Sequence, residues 1–223
     1  GTAGAGREHV LPTGQMHLVL RLSGPPLRVF EDGAPGAGRV IREPVAGGAR
    51  SRFYAKEIGA PVVSVGAQLL PGAAMALFGV SAAELAERHT GLPDLWGNGS
   101  GVLQEQMAEA SGPRLQLSVL ERMLAARLLP GRRLRVEVAF ALRSLQQRPT
   151  EATERSVAAL VQDSGYSHRG FIALFRQATG FSPKRYARVL RFQRLLAAFA
   201  AQPAPSLGMA AHAAGYSDQA HMT

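Results

Sequence analysis

The feature that most constrains this chain is a repeat near its end. Ser156 to Ala173 reads SVAALVQDSGYSHRGFIA, and Ser206 to Thr223 reads SLGMAAHAAGYSDQAHMT, an offset of 50 residues. Self-similarity of this kind marks one supersecondary unit used twice. Each copy opens on a serine, runs through about two turns of small and apolar residues, passes Gly-Tyr-Ser and starts a second helix. In the first copy Ser156 is placed to cap a helix whose inner face is Val157, Leu160 and Val161. Gly165 suits the left-handed residue that stops it, a conformation costly for any residue with a Cβ. Tyr166 plugs the corner, Ser167 caps the second helix, and Phe171, Leu174 and Phe175 form its buried side. Arg169, Ile172, Ala173 and Arg176 then face outward, and Gly180 closes the helix. Two short helices about a tight glycine turn make a helix-turn-helix, whose second helix enters the major groove of DNA. An ordinary helical hairpin is the competing description of either copy alone.

The connector between the copies fits a rigid spacer. Ser182-Pro183 starts a helix that runs to about Ala201, before Gln202-Pro203-Ala204-Pro205. Roughly 19 residues at about 1.5 Å each span about 28 Å. With the flanking turns, the two second helices come about 34 Å apart, near one turn of B-DNA. Tyr186, Val189, Leu190, Phe192, Leu196 and Phe199 face the two units, while Lys184, Arg185 and Arg188 lie where they can meet phosphate.

Charge is distributed to match. Of a net +9, residues 1–130 contribute almost nothing, with 12 basic and 11 acidic side chains; residues 131–223 carry 13 basic and 5 acidic ones. No acid lies between Asp163 and Asp218, a window that holds Arg169, Arg176, Lys184, Arg185, Arg188, Arg191 and Arg194. Only 2 of the 25 basic residues are lysine, so a compositional bias toward arginine is present. Such a bias does not remove acids. A basic surface without them attracts a polyanion.

The first 80 residues read mostly as strand. Met16 to Leu22 alternates, with Met16, Leu18, Leu20 and Leu22 on one face and His17, Val19 and Arg21 on the other. Leu27 to Phe30, Val40 to Ile41, Arg52 to Ile58 and Val62 to Leu70 are further strands, separated by Gly and Pro turns. The Gly33 to Gly38 stretch reads as a hairpin tip, since no helix with a Lys-Ser/Thr start follows to make a phosphate cradle. From Ser81 the period changes. Ser81 and Glu84 form a capping box opening a helix to about His89. Helices follow over Val102 to Ala110 and Arg114 to Leu129, the latter with Leu117, Leu120, Leu124 and Leu128 in a stripe that suits a dimer seam or core packing alike. Pro130-Gly131 ends it. The expected fold class is α+β: a β-rich barrel or sandwich with a helical extension over 1–130, then an all-α domain over 131–223 with two helix-turn-helix units joined by a linker helix.

Composition narrows the chemistry. At 46% hydrophobic and 18% charged residues the chain is globular, and it contains no run of 18 apolar residues to span a membrane. The start, GTAGAGREHV, lacks the basic-then-apolar layout of a secretory signal. With no cysteine, disulfides, thiolate metal sites and a Cys nucleophile are excluded. The enzyme alternative is a metal-binding barrel using Glu8, His9 and His17, but these lack the His-x-His spacing with a following carboxylate. No Gly-x-Ser-x-Gly elbow is present. No catalytic residue, metal or cofactor is expected.

The segment GYSHRGFIALFRQATGFSPKRYARVLRFQRLL together with GYSDQAHMT resembles the AraC/XylS family of bacterial transcription regulators, over about residues 133 to 223. The stretches LPTGQMHLVLRL, VSVGAQLLPGAAMALFGVSAAEL and GLPDLWG are similar to a sensor domain of one branch of that family. The resemblance implies a regulator bound to double-stranded DNA. Arg169, Ile172 and Ala173 would meet base edges, Arg176 the backbone, and Gln219, Ala220 and Thr223 would be the matching face of the second unit. It also implies a small-molecule effector or homodimer contact in the N-terminal domain, RNA polymerase as a partner, and a cytoplasmic protein at the nucleoid when bound. The family's second recognition helix runs about two turns further, so the second unit is expected to be incomplete at Thr223.

Overall fold

The computed structural model describes residues 6–31, 36–147, 157–201 and Gly208. The chain divides into two compact units, Gly1–Arg133 with Gln177–Gly180, and Leu134–Arg176 with Phe181–Thr223.

The first unit begins with β1 (Gly6–Val10), β2 (Met16–Ser23), β3 (Leu27–Glu31), β4 (Arg39–Ile41), β5 (Val45–Gly47), β6 (Tyr54–Ile58) and β7 (Val63–Leu69). It continues through α1 (Ala73–Phe78), α2 (Ala82–Leu85), β8 (His89–Gly91), α3 (Leu92–Trp96), α4 (Gly99–Glu109) and α5 (Pro113–Arg127). The described strands form two antiparallel sheets, in the orders β1-β6-β3-β4 and β7-β2-β5-β8. The alternation of β2 is realised. Met16, Leu18 and Leu20 are buried on the side where α4 and α5 pack against β2 and β7. On its other face Val19 packs on Val29, Ile41, Val45 and Tyr54, residues drawn from both sheets. That apolar layer fills the space between the sheets, which is the sandwich arrangement.

Several elements depart from the sequence expectation. The helix opened by Ser81 keeps its capping box: Ala83 N donates to Ser81 Oγ at 3.1 Å and Ser81 N to Glu84 Oε1 at 3.1 Å. It ends at Leu85 rather than near His89, because the chain that follows pairs with the β5 edge. Gly48 N donates to Arg88 O at 2.9 Å and Glu87 N to Ala49 O at 3.0 Å. Gly48 must be bare for this approach, since a Cβ there would collide with the Leu85 carbonyl oxygen. The turn is completed by Glu87 at a left-handed φ of 62°, and His89 enters β8. The short strands β1, β5 and β8, and helix α1, were not apparent from the sequence. On α5 the buried residues are Val119 and Leu120; Leu124 is half-buried, while Leu117 and Leu128 are 54% and 58% exposed. Core packing therefore accounts for only part of the leucine stripe.

A polar cluster bridges the two sheets. Buried Arg50 donates to both carboxylate oxygens of Glu31, at 2.6 and 2.9 Å, and Nη2 also reaches His89 Nδ1 at 3.1 Å. Its guanidinium lies 4.6 Å from the Tyr54 ring, which meets the His89 ring edge-on at 4.9 Å. Burial, and then the Arg50 charge, hold His89 down to about 3; the same two causes lower His17.

The second unit comprises α6 (Val136–Gln146), α7 (Val157–Asp163), α8 (His168–Thr179) and α9 (Pro183–Ala201). Helix α6, unanticipated from the sequence, buries Val138, Ala141 and Leu142. Its terminal carbonyls, which have no partner within the helix, are met by Arg194 of α9. Nη2 donates to Leu145 O at 2.7 Å and Gln147 O at 2.9 Å.

Two outcomes follow from these contacts. Arg194→Ala is expected to cost about 1.5–3 kcal/mol in urea unfolding, the range for hydrogen bonds to a charged group. His89 binds a proton more weakly folded than unfolded, so the stability it contributes is full above pH 6.5 and drains as pH falls toward 3. Wild type is expected to lose about 1.4 kcal/mol per pH unit more than His89→Gln within that window. Parallel stability profiles for the two proteins would contradict this.

Candidate nucleic-acid interface

The first bihelical unit is built on α7 and α8, joined by residues 164–167. Leu160 and Val161 on α7 and Phe171 and Phe175 on α8 are buried, as their spacing predicts. Ser156 and the side chain of Val157 lie outside the described residues. In the turn, Ser164 Oγ donates to Val161 O at 2.6 Å and accepts from Tyr166 N at 3.2 Å. Gly165 adopts φ 70°, with open space where a Cβ would stand, so its requirement is conformational rather than steric. Ser167 Oγ accepts from Gly170 N at 3.2 Å, capping α8. Tyr166, expected to plug the core, is only half-buried; its hydroxyl accepts from Arg135 Nη1 at 3.3 Å, bracing the turn against the start of α6.

A chain of rings ties α8 to α9. Phe171 and Phe175 are 6.1 Å apart between ring centroids, and Phe175 meets Tyr186 edge-on at 5.6 Å. The Tyr186 hydroxyl accepts from Gln146 Nε2 at 3.4 Å. Burial raises its pKa, against a smaller opposing effect of that bond. Leu174, expected in the core, is half-buried; Phe181 instead supplies a third fully buried ring. Its signal is its position directly after the helix-ending Gly180. On α9, Tyr186, Val189 and Leu195 are buried, whereas Leu190, Phe192, Leu196 and Phe199 are half-buried. Leu195 thus takes the inward place expected for Leu196.

The opposite side of α8 is the candidate reading face. Arg169, Ala173 and Arg176 are exposed and Ile172 is half-buried, at helical spacings that keep them on one side. His168 and Gln177 are exposed as well. At the start of α9, Lys184 and Arg188 are exposed, while half-buried Arg185 places its guanidinium 5.1 Å from the Phe181 ring centroid. Among the described residues, the side chains of Arg169, Arg176, Lys184 and Arg188 have no ion-pair or hydrogen-bond partner. Gln219, Ala220 and Thr223, and with them the second copy of the repeat, lie outside the described residues.

The residues of the metal alternative do not converge. Glu8 pairs with Lys56 at 3.3 Å, His9 meets Phe53 edge-on with ring centroids 4.9 Å apart, and His17 lies beside His89 at 6.1 Å. Among the described residues, no three His, Asp or Glu side chains are grouped to hold a metal ion. No described helix is long and apolar enough to cross a membrane.

Residues 160–223 match the family model described as "Helix-turn-helix domain", which is of the AraC type. No curated protein matches the chain. Among solved structures, apo ToxT from Vibrio cholerae, carrying a lysine-to-alanine substitution, is similar at 8% identity. The likeness covers 97% of this chain and 86% of that one, with a TM-score of 0.47.

The unit's two supports are expected to differ in cost. Phe175→Ala should lower stability by about 3–5 kcal/mol, since it removes a fully buried ring. Gly165→Ala should cost about 1–2 kcal/mol, the strain of a left-handed residue with a Cβ. Thermal or urea unfolding measures both, and the reverse order would contradict the account.

Proposed function

We propose that this chain, an AraC/XylS-type protein by its helix-turn-helix segment, is a transcription regulator that reads duplex DNA with that segment and answers a small effector through its N-terminal part. The observation that carries the reading is the unpartnered set of cations, Arg169 and Arg176 on α8 and Lys184 and Arg188 on α9, held outward by buried aromatic rings. Arg169 suits the O6 and N7 acceptors of guanine; Ile172 and Ala173 suit a thymine methyl. Arg176 lies toward the backbone, and Lys184, Arg185 and Arg188 meet phosphates. Gln219, Ala220 and Thr223 are the corresponding face of the second unit.

In this reading residues 1–130 serve sensing and assembly and 131–223 bind DNA. The solvent-facing Leu117 of α5 and Leu128 just past its end suit a homodimer contact. RNA polymerase is the further partner, the compartment is the cytoplasm, with the nucleoid when bound, and no catalysis is assigned.

Selection of bound duplexes from a random pool, followed by anisotropy titrations at several salt concentrations, tests the reading. Affinity should fall steeply with salt as condensed counterions are released. Arg169→Ala should lose about 1–3 kcal/mol on the selected site and relax preference at one base pair. Lys184→Ala should weaken all duplexes alike. If Arg169→Ala alters neither affinity nor preference, the reading face is wrongly assigned.

A further inference from the structure

The described strands leave four sheet edges, β1 and β4 in the first sheet and β7 and β8 in the second. An open edge presents unpaired N–H and C=O groups to any passing strand, and proteins blunt it with short strands, charged side chains or proline. Three of the four edges are blunted in this way. β1 carries Arg7 and Glu8, β4 is three residues long and begins on Arg39, and β8 is three residues long. β7 is not. Its seven residues, VSVGAQL, hold neither a charge nor a proline, and Ser64, Gly66 and Gln68 are exposed. Val63 at its start is 54% exposed, and Leu70 just past its end 76%. Among the described residues β7 pairs with β2 alone.

The helix over this edge has an open flank on the matching side. α5 packs on β7, whereas α4 packs on β2, one strand further in. Leu115, Ser118 and Arg122 of α5 line a groove shared with Gln106 and Glu109 of α4, so that flank of α5 looks back across the sheet. At about 100° per residue, Leu117, Glu121 and Leu124 fall on the opposite flank, over the open edge. The charges beside these leucines are Arg114 and Glu121, both exposed and neither in an ion pair among the described residues. A two-fold axis through the edge reverses the helix direction between copies. Arg114 of each copy is then carried toward Glu121 of the other, whereas helices laid side by side in one direction would set like charges together.

Size points the same way. A seven-residue edge is about 23 Å long and one strand thick, short of the roughly 800 Å² per partner that a stable dimer needs. The leucine flank of α5 adds apolar area on the same side.

We propose that β7 is the seam of a homodimer. It pairs antiparallel with β7 of a second copy, joining two four-stranded sheets into one, with the two α5 flanks side by side over the seam. This rests on the homodimer reading of the N-terminal part and gives that dimer its axis.

The test uses the full chain in sedimentation velocity over a concentration series, with hydrogen exchange of the Val63–Leu69 amides followed at both ends of the series. A dimer should form, and amides of the β7 edge should exchange about tenfold more slowly in it. Ser64→Lys combined with Gln68→Lys, at two exposed positions, should weaken dimerisation by about tenfold or more. The exchange measurement on the unsubstituted chain stands whether or not that variant folds. Exchange in β7 that is the same in monomer and dimer overturns the seam, as does a dimer that the two lysines leave intact. If Leu117→Lys alone dissolves such a dimer, the homodimer reading survives through α5 without the edge. A chain that stays monomeric throughout overturns both.

Discussion

The burial of Phe171 and Phe175, one helical turn apart on α8, is the constraint from which the interface follows. An α-helix advances about 100° per residue, so fixing positions 171 and 175 inward leaves 169, 172, 173 and 176 no choice of side. Rotating α8 enough to hide Arg169 would expose two phenyl rings, at roughly 1.5–3 kcal/mol each from lost apolar burial alone. Tyr186 extends the same ring chain into α9, so α8 and α9 are packed as one body. A face proposed to read DNA is useful only when its rotation is set, and here packing sets it.

The arginines divide their labour. Arg194 closes the end of α6, Arg135 braces the Tyr166 hydroxyl, and Arg185 stacks on Phe181. In the N-terminal unit Arg50 is buried in an ion pair and Arg127 lies over the Trp96 ring. Net charge counts all of these equally. In the proposed reading, the field a duplex would meet depends instead on the cations left outward and unpartnered, Arg169, Arg176, Lys184 and Arg188. Arg185 occupies a middle position: its place over the Phe181 ring limits side-chain motion, so in the proposed reading less freedom would be lost on reaching a phosphate.

The N-terminal sandwich shows another economy. Its second sheet is covered on both faces, by helices over Leu18 and Leu20 and by the other sheet over Val19. Polar groups buried in such an interior, as Arg50 and His89 are, lie out of reach of bulk water. They bind one another, and Arg50 also binds Glu31 at the edge of the cluster.

Local signals were legible from the chain alone. They include the alternation of β2, the Ser81–Glu84 capping box, the left-handed Gly165, the Ser167 cap and the buried faces of α7 and α8. Each depends on residues within about one turn or one strand of itself, so each is written in spacing. The three-residue strands β5 and β8, the early end of α2, Leu195 inward in place of Leu196, and the bond from Arg194 to α6 were decided by the tertiary structure. Strands that short carry no period, and Gly47 and Gly48 look like a loop until a second segment approaches where a side chain would block it. Which arginine closes a helix end 49 residues away is likewise a matter of where the folded chain brings them together.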